Sequence, residues 1–329
     1  MSDVLPSTLR RRRAMVLLTA AALVGLGLAW TLDRGPDGDR SADDSDDTRR
    51  AAVRVELAAE AWTLAPYDGV GAWVDVYDWT DEFTGSQPSV GLEDLDRMAE
   101  VGVDTVFIQT AHNRSAAPGV IEPDRLDAMI DRAHDRGLHV VAWVLPPLVD
   151  LDADLRRLTA SAELPVDGLG VDIESVEVAD VADRNRRLLE LTDRLRAEVG
   201  TDKALAAITP SAVHLQVVNP GFWPGFPWPA VAAAYDVIQP MAYWSIRDQA
   251  LRDGGLYVGD NMDRIRASTG DADIPIHPVG GIADGVSVEQ VAGMVRAIQA
   301  RGGPGGGLYD WASSNAEQWA AMAQLRADG

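Results

Sequence analysis

The segment VDTVFIQTAHNRSAAPGVIEPDRLDAMIDRAHDRGLHVVAWVL (residues 103–145) contains one complete repeat of the pattern that decides the fold. Its two ends, VDTVFIQ and LHVVAWVL, are rich in apolar residues, as parallel strands buried on both faces are. Between them, PDRLDAMIDRAHDRG has apolar residues at spacings of three and four and ends at Gly137, which is typical of an amphipathic helix. The segment therefore predicts a strand, a helix and a second, parallel strand.

The same pattern recurs along the rest of the chain at intervals of 30 to 37 residues. Strand-like runs begin near Val70, Val103, Leu138, Gly168, Ala204, Val237, Ile274 and Gly305. Eight strand–helix units predict an α/β fold, a (β/α)8 TIM barrel over residues 66–329. The alternative, a doubly wound sheet, would need a glycine-rich phosphate turn after strand 1, where the sequence reads YDWTDEFTGSQPS (residues 77–89). The barrel is therefore the predicted architecture.

The N-terminus has the features of a targeting segment. Four arginines at positions 10–13 precede an uncharged apolar stretch, residues 14–32, which as a helix would span about 28 Å, close to the hydrocarbon thickness of a bilayer. The positive flank predicts that residues 1–13 are a cytoplasmic tail and residues 14–32 a transmembrane signal-anchor. The barrel would then lie outside the cell membrane on a single-pass anchor. A cleaved signal peptide, which would give a secreted protein, is the open alternative.

Charge and composition exclude several classes of function. The net charge is −22, and because residues 1–50 contain eight Arg and eight Asp, all of it falls on residues 51–329. Residues 33–65, which begin DRGPDGDRSADDSDDTRR, are predicted to form an acidic linker. So acidic a domain would repel phosphate backbones, which argues against a nucleic-acid partner. The chain has no Cys, and its five His lack metal-ligand spacing, so neither a metal nor another cofactor is predicted.

The active site of a (β/α)8 barrel lies at the C-terminal ends of its strands. These ends are mostly acidic and aromatic here, as expected of a site that stacks on sugars and cleaves glycosidic bonds. The candidate substrate-binding residues are Asp75, Tyr77, Trp79, Gln109, Gln239, Met241, Trp244, Asp310 and Trp311. The loop GFWPGFPWP (residues 221–229) adds Trp223, either as part of a sugar-stacking wall or as a plug over the barrel.

Two carboxylates of strand 4 form the candidate catalytic pair. Asp172 and Glu174 are two residues apart, so their side chains should share the face directed at the barrel axis. Two buried carboxylates this close cannot both ionise freely, and the pKa of one should rise. A carboxyl group that stays protonated near neutral pH is what a general acid for glycosidic cleavage requires.

Three segments carry a family resemblance. DGLGVDIES (residues 167–175) resembles the strand-4 signature D-G-x-D-x-D-x-E of glycoside hydrolase family 18, the chitinase-like family. QPMAYW (residues 239–244) resembles its strand-6 segment M-x-Y-D, and GGLYDW (residues 306–311) its strand-8 segment G-G-x-x-x-W.

The resemblance implies substrate-assisted, retaining hydrolysis of N-acetylated glycans. Glu174 would be the general acid and base, Asp172 and Tyr243 would orient the acetamido group of the substrate, and Trp311 would form the floor under the sugar. An ordinary retaining hydrolase would instead need a second carboxylate, commonly from strand 7, and IPIHPVGGI (residues 274–282) has none.

Two departures from the family pattern keep a second function open. Gly170 stands where the family has its middle Asp, and Trp244 replaces the strand-6 Asp. The first hypothesis is an exported, membrane-tethered glycoside hydrolase that acts on N-acetylated cell-wall or environmental glycans. The second is a catalytically inactive barrel that binds glycan in the cell envelope.

Overall fold

A computed structural model of the chain describes residues 63–200 and 204–326. Eight strands pair in parallel, each with its neighbours in chain order, and the last pairs with the first to close the barrel. They are β1 Gly69–Val74, β2 Thr105–Ala111, β3 His139–Val144, β4 Gly168–Asp172, β5 Leu205–Pro210, β6 Val237–Ala242, β7 Val279–Ile282 and β8 Gly305–Tyr309. The predicted (β/α)8 barrel is confirmed.

A layer of helices surrounds the strands. One helix of seven or more residues follows each strand in turn: Leu92–Glu100, Pro123–Asp135, Leu151–Ala162, Val181–Val199, Trp228–Ala234, Gly254–Thr269, Val288–Gln299 and Ala316–Met322. Two four-residue helices, Val76–Trp79 and Asp81–Thr84, directly follow β1. Several helices begin at a side-chain cap, such as Asp180, whose carboxylate accepts a hydrogen bond from the N–H of Asp183. Because the helices run back along the barrel, these caps surround its C-terminal end.

β7 is shorter than the sequence pattern predicts. The apolar run begins at Ile274, but the strand begins at Val279, and before it Ile276 makes only an isolated bridge to Ile238. Pro275 and Pro278 are the physical reason, because a proline has no N–H to donate to a neighbouring strand.

Aromatic side chains fill the barrel interior. Trp73 stacks on Phe107 with 4.4 Å between ring centroids, and Trp143 lies 5.9 Å from Trp73. His277 completes the group, 5.3 Å from Phe107. At the N-terminal end, the buried Tyr67 accepts a hydrogen bond through its carbonyl from His277 Nδ1 at 2.8 Å. The barrel is therefore a packed core, and ligand access is confined to its C-terminal end.

The seam between β1 and β8 is built from glycines. Gly69 pairs with Gly305 and Gly71 with Gly307. A Cβ atom on Gly305 would lie 2.3 Å from the carbonyl oxygen of Gly69, and one on Gly307 would lie 2.6 Å from that of Gly71. The two strands can therefore approach this closely only because these positions lack a side chain.

The N-terminal predictions fall mostly outside the described part of the chain. The tail 1–13, the apolar segment 14–32 and residues 33–62 of the linker are not among the residues described. Within residues 63–200 and 204–326, no helix is both long enough and apolar enough to cross a membrane.

Candidate active site

The predicted catalytic pair lies at the C-terminal end of β4. Asp172 is the last residue of the strand and is 5% exposed, and its Oδ1 atom has no hydrogen-bond partner among the described residues. Burial and the charge of Glu174 raise the pKa of Asp172 well above its ordinary value. Burial raises the pKa of Glu174 to about 7. The pair therefore retains a proton near neutral pH, as expected from its spacing.

Tyr243, which follows β6, shares an electrostatic environment with carboxylates from three strands. Burial raises the pKa of its hydroxyl well above the ordinary value, and the charges of Glu174, Asp172, Asp310 and Asp75 raise it further, in that order. The phenol therefore stays neutral and remains a hydrogen-bond donor. Five of the predicted site residues thus meet at one mouth, where β1, β4, β6 and β8 end.

The β1 and β8 side of the mouth contains three buried carboxylates. Oxygen atoms of Asp75, Asp78 and Asp310 all lie within 4.8 Å of one another. Histidine spacing, the pattern used to predict metal ligands, gives no sign of these three carboxylates. All three carboxylates accept hydrogen bonds from nearby residues. Asp75 accepts one from the hydroxyl of Tyr309 at 2.6 Å, Asp78 one from the N–H of Asp75 at 3.2 Å, and Asp310 one from the N–H of Ser313 at 2.9 Å. They shape the mouth and add to its negative charge.

Tyr77 and Gln109 hold the β1–β2 side. The Gln109 side chain accepts a hydrogen bond from the N–H of Val76 at 3.2 Å and so fixes the start of the helix Val76–Trp79. Tyr77 is half-buried, and its hydroxyl accepts a hydrogen bond from Arg114. Arg114 lies in the loop after β2, where no periodic pattern marked it, and it was not predicted.

Gln239 and Met241 lie on β6, four and two residues before Tyr243 and on the same face of the chain. Gln239 is fully buried, and neither polar atom of its amide has a partner among the described residues. Met241 is 9% exposed at the end of the strand. Their predicted contact with substrate stays a prediction.

The predicted contacts of Trp79 and Trp244 with substrate are wrong, because both indoles are fully buried and cannot stack on a sugar. Trp79 donates its indole N–H to the carbonyl of Gln109 at 3.0 Å. Trp244 packs behind β7, where a Cβ on Gly280 would lie 2.7 Å from its ring. The Trp that replaces the strand-6 Asp is therefore a core residue.

Three aromatic side chains of the loop after β5 are buried. Trp223 is 1% exposed, and its indole N–H donates to Asn185 at 2.7 Å. The Arg184 guanidinium lies 4.6 Å from the centre of its ring, and Phe226 and Trp228 are buried beside it. The prediction that Trp223 contacts substrate is wrong, because its ring faces the helix Val181–Val199.

Trp311 is half-buried on the β8 side. Its indole N–H donates to Asp94 at 2.8 Å, and its ring lies 5.3 Å from that of Trp319. These contacts tie Trp311 to the helices Leu92–Glu100 and Ala316–Met322, and they lend no support to its predicted place under a sugar.

The packing explains the glycine at position 170. A Cβ atom there would lie 2.8 Å from the Cδ1 atom of Ile208 and 3.4 Å from the Cβ atom of Trp143. The side chain of Ile208 thus occupies the space that an aspartate at this position would need. The absence of a carboxylate behind Asp172 therefore follows from the packing of the core.

Fold and site together define a (β/α)8 barrel with an acidic, tyrosine-lined mouth. No family model and no curated protein matches the sequence. Solved structures do match. A chitinase from Chromobacterium violaceum ATCC 12472 is 16% identical with a TM-score of 0.52, over 80% of this chain and 100% of that one. A class V chitinase from Pseudomonas fluorescens Pf-5 is 14% identical with a TM-score of 0.56, over 78% and 98%.

The Bacillus cereus spore cortex-lytic enzyme SleL is 9% identical with a TM-score of 0.58, over 78% of this chain and 74% of that one. The barrel is therefore a chitinase-like fold whose sequence has diverged widely from these proteins. At such identities the likeness establishes the fold, and the chemistry rests on the site itself.

Proposed function

We propose that this barrel is a glycoside hydrolase that cleaves N-acetylated glycans. The observation that carries the proposal is the carboxylate pair at the end of β4, in which burial raises the pKa of Glu174 to about 7 and one Asp172 oxygen has no hydrogen-bond partner among the described residues. The likeness to chitinases and to a cortex-lytic enzyme supports a carbohydrate substrate.

In the proposed mechanism, the protonated Glu174 donates its proton to the glycosidic oxygen as the bond to the anomeric carbon breaks. The carbonyl oxygen of the substrate's acetamido group attacks that carbon and forms a positively charged ring. Asp172 accepts the acetamido N–H and stabilises this charge, while the Tyr243 hydroxyl holds the group in place. The ionised Glu174 then takes a proton from water, whose oxygen attacks the anomeric carbon. The bond between that carbon and the acetamido oxygen breaks, the neutral acetamide re-forms, and the configuration is retained.

The charges of Asp172 and Glu174 are consistent with this order of steps. Asp172 and Glu174 repel each other once both are ionised. The positive charge of the ring intermediate arises when Glu174 has just lost its proton, so it offsets the repulsion at that moment.

The second candidate function is an inactive barrel that binds glycan. Gly170 favours it, because Ile208 fills the space where a supporting carboxylate would lie. Binding without turnover would then be the only activity.

The deciding experiment compares the wild type with Glu174→Gln on chitooligosaccharides and peptidoglycan fragments. Loss of the transferable proton should reduce hydrolysis by about 10² to 10⁴, and a thiazoline analogue of the ring intermediate should inhibit the wild type. Glu177→Gln is the matched control, because Glu177 is an exposed carboxylate on the same loop. Unchanged turnover in Glu174→Gln would remove Glu174 from the mechanism. Calorimetric binding without wild-type turnover would establish the inactive binder.

The location of the barrel is a separate proposal. We infer from residues 10–32 that the barrel is exported and held at the cell membrane. Protease added to spheroplasts should digest the barrel, and the intact protein should sediment with membranes. A soluble protein that begins near residue 33 would instead indicate a cleaved signal peptide.

A further inference from the structure

The loop after β2 presents one arginine from a rigid turn. The N–H of Arg114 donates to His112 Nδ1 at 3.1 Å, and the N–H of Ser115 donates to the carbonyl of His112 at 3.1 Å. Glu82, from the short helix Asp81–Thr84, holds the same turn: it accepts hydrogen bonds from the hydroxyl of Ser115 at 2.7 Å and from the N–H of Ala116 at 3.1 Å. The Arg114 backbone is thus fixed before any ligand binds.

An aromatic group lies beside this turn. The Tyr77 ring packs edge-on against Phe83, with 5.3 Å between centroids, and against His112 at 6.1 Å. The Tyr77 hydroxyl accepts a hydrogen bond from Nη2 of Arg114. Burial, followed by the charges of Arg114 and Arg157, lowers the pKa of His112 to about 4, so this histidine is neutral near pH 7. The positive charge here therefore belongs to the arginines.

Many arginines of the described residues pair with a carboxylate, but Arg114 does not. Arg125, for example, lies 3.0 Å from Asp81. Arg114 is exposed, and within residues 63–200 and 204–326 no carboxylate oxygen lies within 4.0 Å of its guanidinium. In the same part of the chain, the hydroxyl of Tyr77 is the one hydrogen-bond partner of the guanidinium. Most of its N–H donors thus face outward, in the fork geometry that suits a carboxylate.

The position connects this arginine to the catalytic mouth. Tyr77 is two residues beyond Asp75 at the end of β1. The charge of Arg114 also reaches Glu177, whose pKa burial raises and Arg114 partly lowers. Because Glu177 is three residues beyond Glu174, Arg114 lies on the rim between the loops of β1, β2 and β4. A sugar bound across the aromatic group would bring its substituents to the guanidinium.

We propose that Arg114 and the Tyr77 hydroxyl form a recognition site for a carboxylate carried by the glycan. The inference rests on the proposed hydrolase function and names its substrate class, an acidic N-acetylated glycan. The domain as a whole repels anions because of its net charge of −22. An acidic glycan therefore needs a local, unneutralised cation at the mouth, and Arg114 supplies it.

The test compares two tetrasaccharides, neutral chitotetraose and a peptidoglycan tetrasaccharide whose muramic residues carry carboxylates. Arg114→Gln should lower kcat/KM for the acidic tetrasaccharide by about 10- to 100-fold, the range for a charge-assisted hydrogen bond, and leave the neutral one nearly unchanged. Arg156→Gln removes the same charge from an exposed position on the helix Leu151–Ala162 and should change neither. Tyr77→Phe, which keeps the ring but frees the guanidinium, should weaken the preference for the acidic glycan.

Two outcomes would overturn the proposal. An equal loss on both glycans would mean that Arg114 binds hydroxyl groups, and no preference in the wild type would mean that no carboxylate is recognised. If the wild type hydrolyses neither glycan, calorimetric Kd values for wild type and Arg114→Gln still test the carboxylate site. Failure of the hydrolase proposal is therefore distinguishable from failure of this one.

Discussion

The two ends of β4 hold carboxylates in opposite chemical situations. Before the strand, Asp167 accepts hydrogen bonds from the N–H of Val140 at 2.7 Å and from His134 at 3.0 Å. Burial opposes ionisation there, but these hydrogen bonds hold the pKa of Asp167 well below its ordinary value. After the strand, one oxygen of Asp172 has no hydrogen-bond partner among the residues that the structure describes, and the pKa values of both Asp172 and Glu174 are raised.

This contrast separates stability from function along one strand. At the N-terminal end, the carboxylate of Asp167 is hydrogen-bonded and stabilises the fold. At the C-terminal end, Asp172 and Glu174 are buried with raised pKa values, which is the condition that acid catalysis requires. Asp167 matches the family signature in sequence as well as Asp172 does, yet its contacts give it a structural role.

Asp172→Asn should show the largest effect. Loss of the charge that stabilises the ring intermediate should reduce turnover on N-acetylated substrates by about 10²- to 10³-fold. The melting temperature should rise, because repulsion with Glu174 is removed. Activity and thermal melting measured on one preparation test both parts. A variant that is less stable than the wild type would contradict the view that the mouth is strained by charge.

Asp167→Ala should have the opposite signature. It leaves the N–H of Val140 without its partner, so the free energy of unfolding should fall by about 1–3 kcal/mol. Turnover well below the melting temperature should stay at the wild-type level. Urea unfolding of Asp135→Ala provides the comparison, because Asp135 is an exposed carboxylate on the neighbouring helix. A loss of turnover in folded Asp167→Ala would mean that Asp167 also serves the site.

Gly170→Ala tests the packing behind the pair. The added methyl group meets Ile208 at 2.8 Å, so we expect a loss of about 1–2 kcal/mol from overpacking. Ile208→Val in the same chain should recover part of this loss, and a double-mutant cycle measures the coupling. Additive effects would show that Ile208 does not fill this space.

The smallest expected effect is a pH dependence of stability. The folded-state pKa of Glu174 is about 7, above the ordinary 4.5, so its contribution to stability is full below pH 4.5 and is lost as the pH rises through 7. Glu174→Gln should therefore raise the melting temperature by about 2–4 °C more at pH 8 than at pH 5. A difference of the opposite sign would show that the folded state favours the ionised carboxylate.

The sequence was sufficient to predict the barrel and the position of Asp172 and Glu174 at the end of β4, because both depend on periodicity. Apolar runs at regular intervals require parallel strands covered by helices, and the two-residue spacing puts Asp172 and Glu174 on one face. The apolar run from Ile274 predicted too long a β7, because Pro275 and Pro278 have no N–H to donate to a neighbouring strand.

The rest of the site depends on packing between distant segments. Whether Trp79 or Trp244 faces substrate or core is decided by neighbours from other strands, such as Gly280, and no local pattern contains that information. Arg114 belongs to an irregular loop, and its proposed role rests on the lack of a carboxylate beside its guanidinium within residues 63–200 and 204–326.

The glycine seam between β1 and β8 has a consequence for biosynthesis. The first strand of the barrel pairs with the last, so the sheet cannot close until residues 305–309 have left the ribosome. Until then β1 and β7 are open edges, each able to pair with another chain. A chain that ends before Gly305 should therefore aggregate, and the complete chain should fold slowly because its closing contacts are the most distant in sequence.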